Sequence, residues 1–175
     1  GIAAGAVGIA IPEISFDVQR AIDKIRSVKV AGKRGMIVVV SEGVKAEDGR
    51  PLGEFLTPLI EEETGVETRF ARFAHIVRGG SPTLRDRLTA TQMGAKAVEL
   101  LLEGQSDVVI CEIDGVIKPI EINFSLILDR MYKNKLNDGD LDAFSEADIQ
   151  KMKAICTQRS EEIRHMYELS HTICK

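Results

Sequence analysis

The sequence predicts an α/β protein: a three-layer α/β/α arrangement with a largely parallel sheet, a C-terminal hairpin and a final long helix. Three observations predict it. Two short apolar runs, residues 7–12 and 35–41, are each followed by a segment whose apolar residues recur at helical spacing. An Asp114-Gly115 pair joins two further apolar runs within "DVVICEIDGVIKPIE". An acidic, capping-box-like stretch around Ser145 and Asp148 opens a last helix near residues 146–170.

Taken in order, "VGIAIP" reads as a buried strand ended by Pro12. Val18, Ala21, Ile22, Ile25 and Val28 then mark a helix, with Asp17 as its N-cap, Phe16 as a staple and Gly32 closing it. "GMIVVVS" is β-branched almost throughout, which suits a strand covered on both faces in a parallel sheet. Gly43, Gly49, Pro51 and Gly53 make a loop, and Leu52, Phe55, Leu56, Leu59 and Ile60 mark a helix that stops near Gly65. "VETRFARFA", residues 66–74, reads as another strand. Ser81-Pro82 should start a long helix, serine capping and proline in the first turn. Its apolar stripe is Leu84, Leu88, Ala95, Val98, Leu101 and Leu102, and Gly104 ends it. Asp114-Gly115 is a two-residue hairpin signal.

Composition narrows the function classes. With 175 residues, 44% hydrophobic and 29% charged, the chain has the makeup of an ordinary globular domain. A net charge of −4 argues against broad nucleic-acid binding. No apolar run approaches the ~20 residues that cross a bilayer. The apolar start "GIAAGAVGIAIP" lacks the basic flank of a signal peptide. It begins at Gly1 rather than methionine, which suggests a fragment of a longer chain. Cys111, Cys156 and Cys174 have no metal or CxxC spacing and read as reduced thiols, which suits a cytoplasmic protein.

The chemistry concentrates in one stretch. From Arg69 to Arg87 the acidic chain places five arginines against a single aspartate, Asp86. His75 and Arg78 flank Gly79-Gly80, just past a predicted strand, on the rim where open α/β sheets bind ligands. Arginine forks, an imidazole and a following helix N-terminus suit a phosphate ester. Glu42, at the end of the "MIVVVS" strand, shares that rim and can accept hydrogen bonds from sugar hydroxyls. The alternative for these charges is a solvated, salt-bridged face. A single RGG copy without aromatic interleaving does not make an RNA-binding element. His165 and His171 read as surface helix residues, and Arg85 and Arg87 as structural salt-bridge partners. No Walker loop, GxSxG or GxGxxG occurs, so no complete active site assembles from this sequence.

"AHIVRGGSPTLRDRLTATQMGAKAVELLLEG" resembles the signature segment of the phosphofructokinases, with its G-H-[IV]-Q-R-G-G-[ST]-P block followed by D-R and a long helix. "IPEISFDV", "GKRGMIVVVSEGV", "EEETGVETRFARFAHI" and "MYELS" resemble further segments of that family, so the similarity spans nearly the whole chain. The resemblance implies that residues 1–175 are the C-terminal, fructose 6-phosphate-binding half, with the phosphoryl-donor half and the catalytic aspartate elsewhere. It implies ATP as donor, with pyrophosphate the alternative, and Mg²⁺ bound mainly through the other half and the donor. By position, Glu42 would bond hydroxyls of the sugar ring, and His75 and Arg78 would hold its 6-phosphate. Arg69 would reach that phosphate in a neighbouring subunit, which implies a homo-oligomer. Glu13 and Lys33 match an effector-binding set and Arg34 substitutes for a lysine of it, but Ala31 and Gly35 replace a lysine and a histidine of the family pattern, which argues against the family's usual nucleotide regulation. Ala74 stands where the family has glycine, and Val77 where it has glutamine. The loop 43–57 is longer than in short bacterial members. A non-catalytic sugar-phosphate-binding module of the same fold is the alternative function. Neither a membrane nor nucleic acid is implied as a partner.

Overall fold

The computed structural model describes residues 1–77 and 79–173. Arg78 and Cys174, both singled out by sequence, lie outside the described residues. The chain is mixed α/β, and it divides into two compact units, residues 1–72 with 159–175, and residues 73–158.

In the first unit, β1 (Gly8–Ala10) pairs in parallel with β2 (Val38–Val40), Gly8 opposite Val38 and Ala10 opposite Val40. The ladder extends through Val7 N–H to the Ile37 carbonyl and Ser41 N–H to the Ala10 carbonyl. Between the strands runs α1 (Val18–Val30), capped as the sequence predicts, with the Asp17 carboxylate accepting from Arg20 N–H at 2.9 Å. Helix α2 (Leu52–Thr64) follows and ends at Gly65 in the left-handed conformation, φ 60°. Pro58 within α2 removes one helix N–H, and Thr57 Oγ1 donates to the Gly53 carbonyl on the neighbouring turn. Val7, Ala10, Ile25, Leu52, Leu56 and Ile60 form the core, with Phe16, Val38 and Val40 packed around it. The apolar stripes that mark α1 and α2 in the sequence are the faces that meet in this core.

One expected strand is not there. Residues 66–73 take no regular structure, and Ala74–Val77 form a single 3₁₀ turn. The residue pattern resembles a strand, but a strand is defined by a ladder partner, and none pairs with it among the described residues. Instead Val66 packs on the core, and the Phe70 ring lies over Gly53, where a Cβ would come within 2.5 Å of the ring edge.

In the second unit, α3 (Leu84–Leu102) precedes β3 (Val108–Ile113) and β4 (Val116–Glu121), an antiparallel hairpin in which Ile113 faces Val116. The two loop residues both have positive φ, Asp114 54° and Gly115 77°, the signature of a type I′ turn. Helix α3 starts two residues later than Ser81-Pro82 would place it. Thr83 is the N-cap, because Asp86 stands three residues on and completes a capping box, whereas Ser81 has only Leu84 there. The predicted stripe of α3 is also the wrong face. Leu84 is 82% exposed, and Leu88, Val98, Leu101 and Leu102 are exposed as well, while Leu100 is 3% exposed. Met93, Ala97 and Leu100 form a second stripe at helical spacing, more covered than the first, and α3 packs on the hairpin. α3 is apolar on two faces, and periodicity alone does not say which one packs.

A helix that the sequence reading passed over, α4 (Ile122–Tyr132), leaves β4 without a break. The Glu121 carboxylate accepts from the N–H groups of Asn123 and Phe124 and caps it. Glutamate is not a preferred cap residue, so the boundary carried no signal. Helix α5 (Glu146–Ile173) is the predicted final helix, opened by Asp148 N–H donating to Ser145 Oγ. Ile127 and Met152 are buried, and Lys151 sits over the Phe124 ring. Among the described residues no helix is long and apolar enough to cross a membrane. Neither Cys111 nor Cys156 is in a disulfide.

Candidate functional site

The carboxyl ends of β1 and β2 open into a cleft of about 800 Å³ whose lining includes Pro12, Phe16, Gly43, Lys45, Asp48 and Phe55. This is the rim where a parallel sheet offers its backbone ends to a ligand. Glu42, directly before the lining residue Gly43, is exposed at the corner of the turn that Val44 N–H closes to the Ser41 carbonyl. Gly43 follows with φ 91°, the left-handed geometry required at the third position of such a turn. The sequence places glycine where the backbone must reverse directly after the strand, and this sets Glu42 on the rim.

The loop that forms one wall is held by its own charges. Asp48 accepts from Arg50 N–H at 3.0 Å and from Arg50 Nε at 2.7 Å. The Arg50 side-chain hydrogen bond holds the Asp48 carboxyl below its ordinary range. The Arg50 guanidinium also sits 5.5 Å from the Phe55 ring centroid.

Arg69 lies in the first unit, on the irregular segment after α2. Its side chain is 86% exposed, and it donates through Nε (3.0 Å) and Nη2 (2.7 Å) to a single oxygen of Glu67. Arg72 is engaged differently, reaching Glu54 of α2 at 2.8 Å and lying over the Phe70 ring. His75 is exposed and belongs to the second unit, in the 3₁₀ turn, directly after Ala74, whose φ is +45°. Arg78 lies outside the described residues. In the second unit Arg85 approaches Glu112 at 4.0 Å, which agrees with a structural role. The acidic partners Glu67 and Glu54 escaped the sequence reading. A Glu-x-Arg spacing was the available signal for the first, and nothing in the sequence points to the second.

Glu13 follows β1 and Lys33-Arg34 precede β2, and all three are exposed. His165 is exposed as expected, but His171 is half-buried. Its Nε2 is enclosed without a hydrogen-bond partner, and its ring meets Tyr167 edge-on at 4.6 Å. Burial, then Arg20 and Lys24, lower its pKa from 6.5. Helix periodicity placed His171 on α5 but could not show that α1 lies against that end of the helix.

Among the described residues no three His, Cys, Asp or Glu side chains come together to hold a metal ion. The described residues thus offer no ligand set for the implied Mg²⁺.

The phosphofructokinase family model matches residues 1–101. This chain belongs to the phosphofructokinase family. The chain is 38% identical over 138 residues to the ATP-dependent 6-phosphofructokinase of Clostridium acetobutylicum, a match covering 79% of this chain and 41% of the relative. It is 46% identical over 105 residues to the ATP-dependent 6-phosphofructokinase of Lysinibacillus sphaericus, covering 60% of this chain and 31% of the relative. The chain thus spans about two fifths or less of the curated relatives it matches. The fold is similar to that in a crystal structure of Pichia pastoris phosphofructokinase in the T-state, with a TM-score of 0.62 and 24% identity over 87% of this chain and 19% of that one.

Proposed function

We propose that this phosphofructokinase chain is the sugar-phosphate-binding half of a cytoplasmic 6-phosphofructokinase, which transfers a phosphoryl group from ATP to the 1-hydroxyl of fructose 6-phosphate. The observation that supports it most directly is Glu42, exposed on the turn at the carboxyl end of β2, directly before Gly43, which lines the cleft. A carboxylate there is an acceptor for ring hydroxyls. Arg69, His75 and Arg78 are the cationic or imidazole donors suited to a phosphate ester, and Arg69 serves the site of a neighbouring subunit in a homo-oligomer.

In this reading the chain's own residues position and do not react. They bind the sugar phosphate at the end remote from the transferring group and spend that binding energy on alignment. The base that takes the proton of the 1-hydroxyl belongs to the remainder of the longer protein. Transfer is in-line, and positioning carries most of the catalysis.

Steady-state kinetics of the full-length protein test this. Replacing Glu42, His75 or Arg78 with alanine should raise KM for fructose 6-phosphate about tenfold or more, as expected when a charged hydrogen-bonding partner is lost. An unchanged KM in all three variants overturns the assignment. Binding of fructose 6-phosphate without turnover would instead mark a non-catalytic module of the same fold.

A further inference from the structure

We propose that Glu67 is a positioning residue that presents Arg69 to the sugar phosphate. The inference rests on the reading of Arg69 as a phosphate contact and adds the residue that aims it. One Glu67 oxygen takes both Nε and Nη2 of Arg69, at 3.0 and 2.7 Å. These two nitrogens form the side edge of the guanidinium. The end edge, Nη1 with the second Nη2 hydrogen, is the one left for a phosphate, and a planar fork can serve two anions at once.

Glu67 is suited to this because the backbone directly before it is braced. Val66 N–H donates to Thr64 Oγ1, and Thr68 Oγ1 donates to the Val66 carbonyl. Lys29 Nζ holds the carbonyls of Thr64 and Gly65 just upstream. Arg69 sits past this brace, on an irregular segment with no ladder to fix it. An exposed arginine there keeps its full rotamer freedom, and capturing a phosphate would have to quench it. The Glu67 contact removes part of that freedom before the ligand arrives.

The sign of the effect separates positioning from mere proximity. A carboxylate beside a phosphate repels it, so if Glu67 were a bystander its removal would tighten binding. Positioning predicts the reverse. In the full-length protein Glu67→Ala should raise KM for fructose 6-phosphate about two- to fivefold, the range of an exposed ion pair, with kcat unchanged. Glu67→Gln, which keeps an acceptor oxygen but loses the charge, should fall between. In an Arg69→Ala background, Glu67→Ala should no longer raise KM, because it acts through the missing arginine. A KM that falls or stays level in Glu67→Ala while Arg69→Ala raises it overturns the positioning role alone. A rise in KM from Glu67→Ala that persists without Arg69 overturns it as well. If Arg69→Ala itself leaves KM unchanged, the phosphate role of Arg69 fails and this inference falls with it.

Discussion

Lys29 reaches from the last turn of α1 to the carbonyl oxygen of Thr64, 2.8 Å away, and to that of Gly65 at 3.2 Å. The last carbonyls of a helix have no partner within it, and a cation there also meets the negative end of the helix dipole. One side chain therefore ties α1 to the end of α2, and Arg26 doubles the link through the Glu63 carbonyl and carboxylate.

Lys29→Met keeps the aliphatic stem and loses both hydrogen bonds. It should destabilise the first unit by about 1–2 kcal/mol. Urea unfolding measures this as a lower midpoint at constant slope, and a midpoint equal to wild type counts against the tie.

Ala74 occupies a left-handed φ of +45° directly before His75, a conformation that crowds its Cβ. Ala74→Gly should therefore gain about 0.5–1 kcal/mol, and Ala74→Val should lose more than that, since β-branched residues tolerate this region least. Melting temperatures of the two variants should move in opposite directions. A shift of the same sign in both refutes the assignment.

Gly115→Ala places a Cβ at φ 77° in the second position of the hairpin turn and should cost about 1 kcal/mol. Asp114→Asn should be neutral or mildly stabilising, because asparagine adopts the first position of a type I′ turn readily. Thermal unfolding of the pair checks the turn type, and equal losses would mean another geometry.

His171 should make stability fall on mild acidification. Its folded-state pKa is lowered by burial and then by Arg20 and Lys24 of α1, so the unfolded chain takes up the proton first as pH drops through 6.5. Stability is then lost from that point down to the folded pKa, and the slope disappears below it. Tyr167 is the other group against the ring, and its own pKa is raised by burial, so its phenol stays neutral across this window. His171→Gln should flatten this part of the pH profile, and a profile identical to wild type between pH 5 and 7 would contradict it. Losses from Asp48, Asp86 and Asp140, whose pKa values are lowered, belong to a more acidic window that begins near 3.8.

Local chemistry was legible wherever a residue acts on its near neighbours. The cap at Asp17, the Gly65 helix end, the two-residue hairpin and the acidic start of α5 could be read directly, because each depends on residues within four positions. The rim residue Glu42 was legible for the same reason: a β-branched run followed by Glu-Gly places a carboxylate where the chain must turn.

Pairing and packing across the sequence decided the rest. Residues 66–73 have strand-like composition, yet strand formation needs a partner ladder, and composition does not supply one. Helix α3 has two apolar stripes, and only the position of the hairpin selects Leu100 over Leu84 and Leu102 for burial. By itself the sequence determined the cap at Asp17, the start of α5 and the hairpin turn, and it offered the residues proposed to bind a phosphorylated sugar. Tertiary structure decided which faces are buried, that Lys29 closes α2, and that Arg69 is held by Glu67 while Arg72 is held by Glu54. Such choices depend on distances between side chains in the folded chain, which residue spacing along one segment does not encode.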